Sequence, residues 1–204
     1  MQRHEALEVL SGLTNEDDLF VSSIGGLKDD WWNLRPGQSD NTFSHGALGS
    51  HSSTGLGLAI ALPHRRIVVL ETDGSILMNT GVMCTLGNER PPNLTVIVID
   101  NEMYESVGRL PTHTSGNTDL ARMAEGAGCI NCTTVTTLDR FEVEVARLLD
   151  DGELGFLVAK IEPGVKQWPV QDRKPTDGVE DKYRFIRYVE QLEGIVIHPG
   201  TPSK

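Results

Sequence analysis

Residues 66–101 read RIVVLETDGSILMNTGVMCTLGNERPPNLTVIVIDN, and this stretch decides the fold. It contains two nearly continuous apolar runs, at 66–71 and at 94–99. Runs of this kind are typical of strands that are buried on both faces, as in a parallel sheet. The residues between them predict a helix over 75–86, and a helix is the usual connection between two parallel strands.

The same alternation of strands and helices extends in both directions from this stretch. Further strands are predicted at 18–22, 130–135 and 155–161. Further helices are predicted at 2–12, 55–62, 118–126, 138–149 and 178–192. This order indicates a three-layer α/β fold, with a mainly parallel sheet between two layers of helices. We expect residues 1–197 to form one domain and residues 198–204 to be a loosely held tail.

Composition and charge argue against several classes of function. The 204 residues carry a formal net charge of −11, and phosphate backbones bind surfaces rich in Lys and Arg, so we expect no nucleic-acid partner. No apolar run has the length of a membrane span, and the N-terminus lacks an apolar signal core. We therefore expect no membrane partner and a cytoplasmic location. Cys84, Cys129 and Cys132 are interpreted as ordinary thiols.

Both central strands run into polar residues of a particular kind. TDGS follows the first strand at 72–75, and DNEM follows the second at 100–103. Ligands of parallel sheets bind at these carboxyl ends, and a helix N-terminus there favours a phosphate. Asp73 repels a phosphate but can hold a bridging Mg²⁺, with Asn101 and the Met103 carbonyl as further oxygen ligands. Asp-Gly-Ser alone is also a common turn, so the hypothesis depends on both strand ends.

Several segments together resemble one known family. TDGSILMN at 72–79, followed by NLTVIVIDN at 93–101, resembles the thiamine-diphosphate motif, which begins Gly-Asp-Gly and ends in Asn. VSSIG at 21–25, HGALG at 45–49 and SSTGLGLA at 52–59 are similar to the diphosphate loop, the Gly-Ser-Met-Gly segment and the small-residue helix of these enzymes. Within the family, the chain is similar to the diphosphate-binding half of sulfopyruvate and phosphonopyruvate decarboxylases.

The resemblance implies a role for each matching residue. The side chains of Asp73 and Asn101 and the carbonyl of Met103 would hold Mg²⁺. A second set would contact the diphosphate of the cofactor: Ser23, Gly25, Gly74 and Ser75.

The aminopyrimidine end of the cofactor is assigned in the same way. Gly46 and Leu48 would bind it through their backbones, and Leu48 would also be the apolar wedge under the bent cofactor. Tyr104 is counted as a further cofactor contact. Two residues depart from the family pattern, since Leu48 replaces Met and Thr72 replaces Gly. The second change leaves less room for close approach.

The substrate side is assigned to the polar loop at 104–117 and to nearby histidines. Arg109 is a candidate partner for an anionic substrate group, and His113 for proton transfer. The alternatives are a solvated surface arginine and a hydrogen-bonded loop histidine. His45 and His51 flank the segment assigned to the aminopyrimidine, so either could face the site, and His51 is included among the catalytic candidates.

The resemblance also implies a partner chain. Enzymes of this family need a glutamate that lies on a separate pyrimidine-binding domain, and we find no second α/β unit in this sequence. We therefore expect a two-chain 2-oxo acid decarboxylase, in which this chain is the β subunit, an α subunit supplies the glutamate, and the assembly is α₂β₂ or larger. Its substrate would be a small anionic 2-oxo acid.

Four other functions stay open at this point. The chain could belong to a split carboligase or to a 2-hydroxyacyl-CoA lyase that uses the same cofactor. The β subunit of a 2-oxoacid:ferredoxin oxidoreductase is less favoured, because its usual cysteine clusters are absent. A non-catalytic module that binds a phosphate or nucleotide is the alternative from a different class.

Overall fold

The computed structural model describes residues 1–164, 166, 168, 169, 172 and 177–198. The predicted tail at 198–204 therefore lies outside the described residues, apart from His198. No helix within the described part of the chain is long and apolar enough to cross a membrane.

A six-stranded parallel sheet forms the middle of the molecule. Its strands are β1 (Leu19–Ser22), β2 (Thr42–Ser44), β3 (Ile67–Thr72), β4 (Leu94–Asp100), β7 (Asn131–Val135) and β8 (Gly155–Lys160). They lie in the order β2-β1-β3-β4-β8-β7. A separate antiparallel hairpin pairs β5 (Met103–Tyr104) with β6 (Leu110–Pro111). The predicted parallel sheet is confirmed, with the two strands of the deciding stretch, β3 and β4, at its centre.

Helices cover both faces of this sheet. They are α1 (Arg3–Leu13), α2 (Gly26–Leu34), α3 (His51–Ala61), α4 (Asp73–Ile76), α5 (Val82–Glu89), α6 (Leu120–Gly126), α7 (Leu138–Asp150) and α8 (Gly178–Glu193). Helices α3, α5, α6 and α8 pack on one face, whereas α1, α2 and α7 pack on the other. Successive strand residues point to opposite faces, so Val69 joins the first core and Val68 the second. The three-layer architecture is confirmed.

The helix predicted over 75–86 is wrong as one continuous element. The chain instead forms the short α4, a 3₁₀ turn at Leu77–Asn79, and then α5. Asn79 uses its side-chain nitrogen to donate to the Gly49 carbonyl at 2.9 Å, a long-range bond that ties the 3₁₀ turn to the segment before α3. The break keeps Gly49, which has a φ of 82°, beside the start of α4.

The strand β2 and the β5–β6 hairpin were not predicted. Each of these strands has only two or three residues, too few to show a hydrophobic period. The hairpin nevertheless matters for function, because it carries the loop that follows the predicted metal ligands.

Candidate functional site

A cavity of about 380 Å³ opens at the carboxyl ends of β1, β3 and β4. Most of the residues assigned to the cofactor from the sequence lie on its wall: Gly25, Leu48, Asp73, Gly74, Ser75, Asn101, Met103 and Tyr104. Ser23 immediately precedes Ile24 of the wall, whereas Gly46 is exposed and outside it. The structure thus brings together residues from four separate segments of the chain.

The two predicted metal-ligand segments are neighbours because β3 and β4 pair in parallel. Their register places Thr72 opposite Ile99, so Asp73 and Asp100 leave the sheet side by side. Asn101 follows and is also buried. Its Oδ1 accepts from the Met103 backbone nitrogen at 3.2 Å, which fixes the turn that carries both residues.

Two threonines that the sequence reasoning missed hold Asp73 in place. Thr112 donates its hydroxyl to Asp73 Oδ2 at 2.6 Å, and Thr114 approaches the same oxygen at 3.4 Å. Thr114 also donates to Asp100 Oδ1 at 2.8 Å. Both threonines are buried, although they belong to an otherwise exposed loop. The run of hydroxyl residues after Pro111 was the available signal.

The electrostatics of the cavity favour a cation beside Asp73. Burial, together with the neighbouring Asp100, raises the pKa of Asp73 to about 6, against hydrogen bonds from Thr112 and Thr114 that lower it. Asp100 has its own counter-ion, since Lys160 Nζ lies 2.9 Å from its Oδ2. Burial lowers the pKa of Lys160, but hydrogen bonds to Glu102 and Asp100 outweigh this effect and raise it. Of the two carboxylates, Asp73 is therefore the one that has no counter-ion among the described residues.

The region assigned to the diphosphate has suitable donors and space. Ser23 has a buried hydroxyl oxygen with no hydrogen-bond partner among the described residues. Gly25 precedes α2 with a φ of 88°, a conformation that favours glycine. At Gly74, an added Cβ would lie 2.5 Å from Tyr104 Cε1, so a larger residue would have to displace the Tyr104 ring. A phosphate oxygen would give the Ser23 hydroxyl the acceptor that it lacks.

The catalytic candidates lie outside the cavity wall. His51 is buried in a polar cluster, with Nδ1 at 3.2 Å from both Glu71 Oε1 and Ser75 Oγ. Its ring stacks on His45 at 4.3 Å, and burial, followed by the proximity of His51, lowers the His45 pKa to about 4. Arg109 is exposed in the turn between β5 and β6, with a φ of 57°, and His113 is exposed between Thr112 and Thr114.

The three cysteines and one further histidine lie away from the cavity wall. Cys84, Cys129 and Cys132 are free thiols, as interpreted from the sequence, and Cys132 Sγ donates to the Cys129 carbonyl at 3.6 Å. His64 is exposed and contacts Glu193. The described residues contain no cluster of three or more His, Cys, Asp or Glu side chains suited to a metal, so a cation here would depend on amide and carbonyl oxygens.

Comparison with known proteins connects this geometry to a family. Residues 25–159 match the family profile described as thiamine pyrophosphate enzyme, C-terminal TPP binding domain. The chain is 33% identical over 176 residues to sulfopyruvate decarboxylase subunit beta of Methanocaldococcus jannaschii, covering 86% of this chain and 90% of that protein. It is 32% identical over 162 residues to phosphonopyruvate decarboxylase of Streptomyces viridochromogenes, covering 79% of this chain and 40% of that protein.

Solved structures agree on the fold. Benzoylformate decarboxylase from Polynucleobacter necessarius superposes with a TM-score of 0.66 at 20% identity, over 81% of this chain and 34% of its own. The thiamine diphosphate-dependent 4-hydroxybenzoylformate decarboxylase of Rhodococcus jostii RHA1 gives 0.69 at 17% identity, over 81% and 33%. The profile match spans more than half of the sequence, and the chain therefore belongs to the family of thiamine pyrophosphate enzymes, as a C-terminal TPP-binding domain.

Proposed function

We propose that this chain is the β subunit of a two-chain decarboxylase of small anionic 2-oxo acids that depends on thiamine diphosphate and Mg²⁺. One observation carries the proposal: Asp73, Asn101 and Met103 lie on the wall of the same cavity as Gly74, at the carboxyl edge of the sheet. The relatives named as sulfopyruvate decarboxylase subunit beta, of nearly the same length, support the division into two chains.

The residues of this chain would bind and orient the cofactor. Asp73 and Asn101 would hold Mg²⁺ through side-chain oxygens, with the Met103 carbonyl as a third ligand. The diphosphate would lie against Ser23, Gly25, Gly74 and Ser75. When bound, thiamine diphosphate supplies a carbanion that adds to the ketone of the substrate and a ring that accepts the electrons released with CO₂.

The histidines and the exposed arginine have different proposed roles. His51 lies under the site and would act as a positioning residue, because its contact with Ser75 Oγ fixes a hydroxyl that also accepts from the Gly49 nitrogen at 3.0 Å. Arg109 and His113 stay candidates for contact with the substrate. Both are exposed and lie on the segment that follows the wall residues Met103 and Tyr104, so a second chain could enclose them.

The partner is expected to bind over the aminopyrimidine end. Gly46 and Leu48 are both exposed, and 41% of the Leu48 surface is accessible to solvent although this residue lines the cavity. A pyrimidine-binding domain on the α subunit would cover this segment and supply the glutamate. We propose an α₂β₂ or larger assembly with a cytoplasmic location.

Activity of the assembled enzyme tests the proposal. The chain is co-purified with its α subunit, and CO₂ release from sulfopyruvate, phosphonopyruvate and pyruvate is measured with and without thiamine diphosphate and Mg²⁺. We expect cofactor-dependent release from at least one of the three acids, and its loss in Asp73→Ala. Near-wild-type turnover by Asp73→Ala, or no stabilisation of the assembly by the cofactor, would contradict the proposal.

A further inference from the structure

We propose that Arg3 is an oxyanion-binding residue of the cavity and that its guanidinium contacts the diphosphate of the bound cofactor. This inference rests on the proposed function, because it assigns one more residue to the same cavity. Because the chain has a net charge of −11, it needs local positive charge to bind a multiply charged anion, and Arg3 would supply it.

Arg3 is a buried cation on the wall of this cavity. It is the first residue of α1, and only 6% of its surface is exposed. Among the described residues that line the cavity, it is the only lysine or arginine. A buried arginine without a full set of acceptors is unusual, because burying a charge is costly unless it is paired and hydrogen-bonded.

The hydrogen bonds of Arg3 leave part of its guanidinium unused. Its Nε donates to Asp30 Oδ2 at 2.7 Å, and its Nη1 reaches Glu105 Oε2 only at 3.4 Å. Its Nη2 is buried and has no partner among the described residues. The other oxygen of Asp30 accepts from Trp168 Nε1 at 2.6 Å, so Asp30 does not form the usual two-pronged contact with the guanidinium.

These contacts favour a phosphate as the missing acceptor. A guanidinium binds phosphoryl oxygens through two parallel N–H groups, and Nη1 and Nη2 are the pair that Asp30 leaves available. The long bond to Glu105 is weak, so a small rotation of the guanidinium away from it would expose both nitrogens to the cavity.

The position of Arg3 favours the cofactor over the substrate as the source of the anion. Asp30 lies on α2, directly after the Gly25 turn assigned to the diphosphate. Glu105 follows the turn that carries Asn101 and Met103. Arg3 is thus bound to the two elements that flank the diphosphate in the proposed function, since its acceptors Asp30 and Glu105 lie on those elements and not on the aminopyrimidine segment around Leu48.

The test compares cofactors that differ by one phosphoryl group. Binding of thiamine diphosphate, thiamine monophosphate and pyrophosphate, each with Mg²⁺, is measured by calorimetry on the assembly with its partner. We expect Arg3→Gln to weaken thiamine diphosphate roughly 10- to 100-fold, the effect of losing a charge-assisted hydrogen bond. The loss of affinity for thiamine monophosphate should be smaller. The affinity of Arg3→Lys for thiamine diphosphate should lie between those of the wild type and Arg3→Gln, because lysine keeps the charge without the paired donors.

A second variant separates ligand binding from folding. Glu105→Gln removes the carboxylate that competes for Nη1, so we expect it to tighten thiamine diphosphate binding, a gain that poor folding cannot imitate. The gain should shrink in the double variant with Arg3→Gln, or with Arg3→Lys if the glutamine variant folds poorly. Asp30→Asn is the matched control, since it breaks the same ion pair but keeps the cation, and it should weaken binding less than Arg3→Gln.

The outcomes distinguish this inference from the proposed function. If the wild type binds neither thiamine diphosphate nor pyrophosphate, both are overturned. If the wild type binds the cofactor, and the Arg3 variants keep its affinity and its preference for the diphosphate over the monophosphate, only the role of Arg3 is overturned. A defect confined to the KM of the 2-oxo acid would also overturn it, because the anion would then be the substrate.

Discussion

At the scale of single residues, Asp73 is a candidate metal ligand whose burial as a carboxylate lowers the stability of the folded chain. Its folded-state pKa of about 6 lies above the ordinary value of 3.8. The folded chain therefore holds this proton more tightly than the unfolded chain. Its contribution to stability is fully present below pH 4 and is lost as the pH rises through about 6. At neutral pH the metal-free protein keeps a carboxylate that is costly to bury, and under the proposed function a Mg²⁺ ion would offset this cost.

The first prediction follows from the raised pKa of Asp73. In the metal-free chain above pH 7, Asp73→Asn should raise the free energy of unfolding by about 1–3 kcal/mol, because it removes a buried charge. The gain should vanish near pH 4. Urea unfolding in the presence of a chelator, at pH 4.5 and pH 8, measures the difference. The matched control is Glu153→Gln at an exposed carboxylate, and equal gains at both pH values would contradict the assignment.

The second prediction concerns Thr112, whose hydroxyl orients Asp73. Thr112→Val keeps the shape of the side chain but removes the 2.6 Å bond to Asp73 Oδ2. We expect the affinity for Mg²⁺ in the presence of thiamine diphosphate to fall about tenfold, because a hydrogen bond to a charged group contributes about 1.5–3 kcal/mol. Thr112→Ser keeps the hydroxyl and should restore most of the affinity. Unchanged metal affinity in Thr112→Val would show that the bond has no orienting role.

At the scale of elements, two glycines in α3 face opposite environments. A Cβ at Gly55 would lie 2.1 Å from Val69 Cγ2 in β3, whereas a Cβ at Gly57 would meet nothing within 4 Å. The third prediction is that Gly55→Ala destabilises the chain by about 1–3 kcal/mol, because the helix must move off the sheet. Gly57→Ala should stabilise it by up to about 1 kcal/mol, because alanine favours the helix. Chemical unfolding of the Gly55→Ala and Gly57→Ala variants measures both changes, and equal stabilities would contradict the close packing of α3 on β3.

The central elements were predictable because their signal is local. The strands β3, β4 and β8 are nearly continuous apolar runs, and each was predicted to within one residue at either end. The break after Asn79 was not predictable, since it depends on a bond to Gly49, thirty positions away in the sequence. The hairpin of β5 and β6 was missed because its short strands lack a period and lie partly in solvent.

The residues of the candidate site also differ in whether a local sequence signal predicts them. Asp73 and Asn101 were predicted because each follows an apolar strand directly. Thr112 and Arg3 were missed, because only the tertiary fold brings them to the cavity. The sequence does contain one signal for Arg3: it occupies the buried side of α1, at helical spacing from Ala6, Leu7 and Leu10. A charged residue on an otherwise apolar helix face indicates a buried partner or a ligand.

At the scale of the whole molecule, the proposed function implies that this acidic chain binds the cofactor strongly only together with its partner. Leu48 lines the cavity yet is 41% exposed, so this chain alone leaves one side of the site open. An incomplete site forms fewer contacts with the ligand but loses the same freedom of motion on binding. Affinity for thiamine diphosphate should therefore depend on assembly, and the two should be thermodynamically linked.

The fourth prediction measures that linkage through Leu48. With the α subunit present, thiamine diphosphate and Mg²⁺ at about 100 times the dissociation constant should stabilise the assembly by about 2.7 kcal/mol, whereas the isolated chain should gain far less at the same concentration. Leu48→Asp places a charge where the partner and the aminopyrimidine meet, so the stabilisation of the mixture should fall towards that of the isolated chain. Val143→Asp provides the control, because Val143 is 57% exposed on α7, which does not line the cavity. Equal stabilisation of the Leu48→Asp and Val143→Asp mixtures would mean that the partner closes the site elsewhere, and the exposed segment at 46–48 would then lose its place in the interface.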